Sequence, residues 1–175
     1  MIWSDMFVKL GLSVGDYYAI DSEKAKKPDA DIPKNVSLVY WDYYSDDYDH
    51  YMQLIKVNKM FGRNVVFAGG VWTWRGFAPD NAFSLKVAAP AISAFRDSQL
   101  KDVIFTMWGD DGGECPKNAV LPSLFYISQL SKGNENMEDI KKKFLDMFGF
   151  PFDCMLLLDG LDTPGDIKND NPSKY

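Results

Sequence analysis

The sequence predicts an α/β protein in which four parallel strands alternate with helices. Three observations carry that prediction. Four apolar runs rich in β-branched or aromatic residues, at 1–5, 36–42, 65–74 and 103–114, each contain or end in tryptophan. Helical patterns separate them, which favours βα units in a parallel sheet. The tryptophans Trp3, Trp41, Trp72 and Trp108 recur at intervals of 38, 31 and 36 residues. A (β/α)8 barrel spends roughly 31 residues on each βα unit, about 250 over eight. Residues 1–135 therefore read as half a barrel.

Taken in order, Met1-Ile2-Trp3-Ser4-Asp5 begins directly on a strand pattern, and residues 7–18 leave room for a short helix. The polar stretch 21–33, with Pro28 and Pro33, reads as an exposed loop. The second strand ends at Trp41. Ser45 is the expected N-cap of the next helix, with acids in its first turn. Tyr48, Tyr51, Met52 and Ile55 recur there at helical spacing, and Gly62 is a natural stop. His50 falls inside this helix and reads as a helix-face residue.

The third strand is expected to run through Gly69-Gly70 to Trp74, and the paired glycines predict a bulge or a close backbone approach. Asn81 or Ser84 is the expected cap of the next helix, whose face is Val87, Ala88, Ala91, Ile92 and Phe95. Pro90 within it predicts a kink or a late start. The fourth strand, Val103-Ile104-Phe105-Thr106-Met107-Trp108, leads into Gly109-Asp110-Asp111-Gly112-Gly113-Glu114, a tight turn. Pro116 is the expected start of a helix with the apolar stripe Val120, Leu121, Leu124, Phe125, Ile127 and Leu130. After a turn at Gly133-Asn134, Ile140, Phe144, Leu145 and Phe148 mark another helix. Residues 136–175 thus open a helical region that no longer alternates with strands. Because a strand pattern starts at Met1 and the tail ends in loop-like sequence, the chain is expected to be part of a larger protein.

Of the 175 residues, 46% are hydrophobic and 25% charged, an ordinary soluble composition. Aromatic residues make up 15%, which suits either ring-stacking ligands or a large aromatic core. The formal net charge of −6, with scattered Lys and Arg, argues against a nucleic-acid partner. Cys115 and Cys154 are too few for a disulfide framework, and one histidine offers no zinc cluster. No cofactor or metal is expected. No run reaches the roughly 20 apolar residues of a membrane span, and no secretory signal opens the chain, so a cytoplasmic location without membrane contact is expected.

Parallel barrels bind ligands at the C-terminal ends of their strands. Trp3 with Asp5, Trp41 with Asp42, Trp72 with Trp74, and Trp108 with Asp110 all fall there and should ring one mouth. Indoles suit the apolar faces and methyl groups of a sugar, and carboxylates accept hydrogen bonds from its hydroxyls. Four bare-edged strands leave a poor free-standing object. The missing half is expected from a preceding N-terminal half-barrel, from a second chain, or from a copy of this one.

These residues resemble the family-20 glycoside hydrolases, the exo-acting β-N-acetylhexosaminidases. The likeness rests on Trp3-Ser4-Asp5, Tyr40-Trp41-Asp42, Trp108-Gly109-Asp110 and the Gly-Val-Trp-Thr-Trp-Arg-Gly-Phe stretch at 70–77. It covers the C-terminal half of that family's barrel, strands five to eight. The resemblance implies that Trp3, Trp41 and Trp108 surround the N-acetyl group of a terminal N-acetylhexosamine. It places Asp110 at the outer hydroxyls, Trp72 or Trp74 beside the sugar ring, and Asp5 near the pocket floor. The family's acetamido-binding tyrosine has no counterpart between Asn64 and Asn81, and Tyr43 or Tyr44 is the candidate stand-in.

Family-20 enzymes use the substrate's own acetamido oxygen as nucleophile, outside the two-carboxylate retaining scheme. Their Asp-Glu pair follows strand four, and no Asp-Glu dipeptide occurs in this chain. The resemblance therefore implies binding walls without the proton donor, the catalytic pair lying upstream. Asp110, Asp111 and Glu114 read as a solvated turn rather than as a surrogate pair or a cation site. A non-catalytic carbohydrate-binding module and a plain α/β structural domain are the competing readings.

Overall fold

The structure, a computed structural model, describes residues 1–12 and 31–161. Most of the loop expected over 21–33 lies outside the described residues, as does the tail from residue 162. Strands β1 (Ile2–Trp3), β2 (Leu38–Trp41), β3 (Val65–Gly70) and β4 (Asp102–Thr106) form one sheet in the order β1-β2-β3-β4. Every pairing is parallel, with Trp3 beside Val39, Trp41 beside Ala68 and Ala68 beside Ile104. The expected α/β class with four parallel strands is therefore what the chain forms.

Side chains alternate along a strand, and partners in register share a face. Leu38, Tyr40, Val65 and Phe67 accordingly meet one layer. Helices α1 (Asp5–Leu12), α2 (Tyr48–Lys59) and α3 (Asn81–Asp97) cover it with Val8, Tyr51, Leu54, Ile55, Ala91 and Ala94. Phe67 takes the rings of Tyr40 and Tyr51 at 5.4 and 5.7 Å, the latter edge-on. Burying one such side chain stabilises the fold by about 1.5–3 kcal/mol. Helix α4 (Leu121–Ser131) packs Ile127 and Leu130 against Val71, Val103 and Phe105, residues continuing the same face of the sheet. The other face carries Val39, Val66 and Ala68 with Trp41. Consecutive strand order with these helices on one face contrasts with doubly wound sheets, which reverse order and carry helices on both.

Local details differ from expectation where tertiary contacts intervene. Strand β3 ends at Gly70, because Trp72 leaves the sheet to form an antiparallel bridge with Asp80. Asp47, not Ser45, caps α2, accepting from the Asp49 amide at 2.9 Å, while Ser45 Oγ accepts from the Asp47 amide. Asp80 caps α3 through the Phe83 amide at 3.0 Å. Asn81 and Ser84 are buried in other bonds: Asn81 Nδ2 donates to Ala119 O, and Ser84 Oγ accepts from the Trp72 amide. Pro90 lies inside α3, so the helix does not start late. Pro116 precedes a 3₁₀ turn, Lys117–Val120, and α4 carries Pro122 in its own first turn.

The helical region beyond residue 135 lies against α4. Helices α5 (Met137–Phe148) and α6 (Phe152–Leu156) bring Ile140, Phe144 and Phe152 onto Phe125. A following 3₁₀ turn, Leu157–Leu161, carries Asp159, which accepts from the Ala82 amide at 2.7 Å and Asn81 Nδ2 at 3.0 Å. Burial foremost raises the Asp159 carboxyl above its usual range, opposed by those hydrogen bonds.

Asp80 also pairs with the buried Arg75, whose guanidinium lies 5.7 Å over the Trp72 ring. Asp80→Ala removes both the cap and the carboxylate partner of a buried cation, and we expect it to destabilise the chain by about 3–5 kcal/mol in urea unfolding. Asp80→Asn keeps the capping oxygen and should cost less; equal losses would mean that the cap contributes nothing, and an unchanged stability in Asp80→Asn that the ion pair contributes nothing.

Candidate functional site

At the C-terminal ends of the strands lies a cavity of about 370 Å³, lined by Trp3, Asp5, Trp41, Tyr43, Tyr44, Trp74, Trp108 and Asp110. That volume is near the lower end of small-molecule sites, about 300–1,000 Å³. Six of the eight residues expected at one mouth thus meet in one place. Trp72 is not among them.

Alternation delivers the first two indoles. Trp3 and Trp41 close β1 and β2 on the face away from the helices, while Trp108 follows β4 by two residues. Trp3 and Trp108 come from opposite edges of the sheet, yet their ring centroids are 6.3 Å apart. The two side chains therefore reach across the end of the sheet, Trp108 from the segment that follows β4. From Trp41 the aromatic wall continues through Tyr43 at 5.3 Å to Trp74 at a further 5.6 Å.

Gly70 explains how that wall sits so low. A Cβ on it would lie 2.6 Å from Trp74 and 2.9 Å from Tyr43, so both rings rest directly on the end of β3. Its neighbour Gly69 leaves the corresponding space to Phe105 on the other face. This is the close backbone approach expected of the paired glycines. Trp72 supports the wall from behind: it is buried, stacks on Trp74 at 4.5 Å and donates Nε1–H to Tyr43 O at 2.9 Å. Of the two alternatives for the tryptophan beside a ligand, Trp74 lines the cavity and Trp72 does not.

Asp42, also expected at the mouth, is buried on the helix side. With Trp41 turned inward, its neighbour must turn outward. His50 is likewise more than a helix-face residue, since its Nε2 lies 2.7 Å from Asp42 Oδ2. Nothing local in the sequence announces that pair.

Besides the indoles, the cavity is lined by two carboxylates and two phenols. Asp5 stands in the first turn of α1, where the helix dipole favours an anion. Asp110 opens a 3₁₀ turn, Asp110–Gly112, and Gly112 and Gly113 adopt positive φ values of 124° and 69°. The Glu114 carboxylate folds onto Gly112 and is exposed, consistent with a solvated turn. Thr73 Oγ1 donates to Trp108 O at 2.6 Å, fixing the fourth indole's backbone. Burial, then the charges of Tyr43, Asp110 and Asp42, raises the Tyr44 phenol above its ordinary value, so it remains a protonated donor at neutral pH. Stacking plates with hydroxyl acceptors and a phenolic donor can hold a small polyhydroxylated ring. Among the described residues no three His, Cys, Asp or Glu side chains converge as a metal ion would require, and no helix is long and apolar enough to cross a membrane.

Compared with known proteins, the chain matches no family model and no curated protein.

The packing on Gly70 gives a direct check. Gly70→Ala should displace Trp74 and Tyr43, costing about 1–3 kcal/mol of stability as overpacking does and changing the tryptophan emission of the folded chain. An unchanged spectrum and stability would mean that the rings do not rest on this backbone.

Proposed function

We propose that the chain is the sugar-binding half of an exo-β-N-acetylhexosaminidase, the C-terminal half of a (β/α)8 barrel. The observation that carries this reading is the convergence of Trp3, Trp41 and Trp108 on one hollow where the parallel strands end. Consecutive strand order, with helices on the face opposite Trp41, supports the barrel half. The cavity's volume suits a single sugar ring, as exo action on a chain end requires.

In this reading the three indoles enclose the acetamido methyl and the apolar sugar face, and Trp74 stacks beside the ring. Asp110 and Asp5 accept hydrogen bonds from hydroxyls. Tyr44, protonated at neutral pH, donates to the acetamido oxygen, a bond that tightens as that oxygen attacks the anomeric carbon. The hydrolysis is retaining and substrate-assisted. Its Asp-Glu pair comes from another segment, since none occurs in these 175 residues. That segment, an N-terminal half-barrel or a second, different chain, would also cover the open edges of β1 and β4. No cofactor enters.

Titration calorimetry with N-acetylglucosamine tests the binding half of the proposal. We expect a single site per chain, weaker binding of glucose, which lacks the acetamido group, and a loss of about tenfold or more in Trp41→Ala and Trp108→Ala. The chain alone should not hydrolyse a chromogenic N-acetylglucosaminide. Glucose bound as tightly as N-acetylglucosamine would overturn the hexosamine reading, and robust turnover by the chain alone would overturn the missing acid.

A further inference from the structure

The turn that carries Tyr43 and Tyr44 is built around a buried carboxylate. The Asp42 side chain is 0% exposed and that of His50 21%. Asp42 Oδ1 accepts from the backbone amides of Tyr44 at 3.0 Å and Ser45 at 3.4 Å. Oδ2 accepts from the Tyr40 hydroxyl at 3.2 Å and lies 2.7 Å from His50 Nε2. A carboxylate only accepts, so His50 Nε2 carries the proton, an assignment made from the hydrogen bond. Four donors thus occupy the roughly four lone-pair sites of the group, which is what burying a charge demands.

Two further bonds fix the same segment. Trp72 Nε1 donates to Tyr43 O, and the Tyr51 hydroxyl donates to Ser45 O at 2.7 Å. Backbone at 43–45 is therefore held from several sides, while the rings it carries form cavity wall. Of the side chains touching the carboxylate, the imidazole on α2 is the one with an edge in solvent.

We propose that Asp42 and His50 are positioning residues of this cavity: the imidazole orients the carboxylate, and its other oxygen fixes the turn that sets Tyr43 and Tyr44 against the ligand. Neither touches the ligand itself. The ligand-binding part rests on the hexosamine reading of the cavity; the geometric part does not.

The test uses the whole chain. His50→Gln keeps a donor of similar reach, whereas His50→Leu keeps bulk without a donor. Amide hydrogen exchange at Tyr44 and Ser45 is followed by NMR without ligand, and N-acetylglucosamine affinity by calorimetry. In His50→Leu we expect exchange to accelerate about tenfold to a hundredfold and affinity to fall by a similar factor, as loss of one hydrogen bond to a charged group implies. His50→Gln should restore both. The loss caused by Tyr44→Phe should shrink in the His50→Leu background, because the two act through one another. Tyr40→Phe, which removes the other Oδ2 donor, serves as a second variant and should likewise speed exchange at 44 and 45. Unchanged exchange in these variants, or strictly additive losses of affinity, would overturn the proposal. If the unaltered chain binds no N-acetylglucosamine, the hexosamine reading falls, and the exchange measurements decide the positioning role alone.

Discussion

The contact between Trp3 and Trp108 is the constraint on which the site depends. Trp3 closes β1, and Trp108 stands two residues beyond β4, at the opposite edge of the sheet and three pairings away. Strands in a sheet lie about 4.8 Å apart, so a 6.3 Å separation between the two rings means that their side chains reach toward each other across the end of the sheet. The face away from the helices carries Val39, Val66 and Ala68 with Trp41. The indoles at the strand ends line one hollow.

Much of this was legible in the residues. Apolar runs ending in tryptophan gave the strands, and the helical stretches between them gave the parallel pairing. The repeated position of tryptophan at the strand end placed Trp3, Trp41 and Trp108 at one mouth. What sequence could not resolve was decided by contacts distant along the chain. Ser45 and Asp47 are both competent caps. Ser45 is committed elsewhere, its amide held by Asp42 and its carbonyl by Tyr51, so the helix begins later. Trp72 and Trp74 share one parity on a strand that was expected to continue. They separate because Trp72 pairs with Asp80 and is bonded by Ser84 at the start of α3.

Asp42 and His50 illustrate a different limit. Pairing an acid with Trp41 in one mouth overlooked the alternation that sends successive side chains to opposite faces. Once Asp42 is turned toward α2, a buried carboxylate needs donors, and the helix supplies His50 while the following turn supplies two amides. The tyrosines at 43 and 44 reach the cavity by virtue of that turn. Polar satisfaction on the helix side thereby shapes the aromatic wall on the ligand side.

In the proposed function, the indoles at the strand ends, and not the tryptophan packed behind them, form the surface that meets a hexosamine. Indole N–H resonances report on each tryptophan separately. On addition of N-acetylglucosamine, the signals of Trp3, Trp41, Trp74 and Trp108 should shift together along one saturating curve, while that of Trp72, bonded to Tyr43 O, moves least. Indole signals that stay in place at saturating sugar, or a shift confined to Trp72, would contradict it.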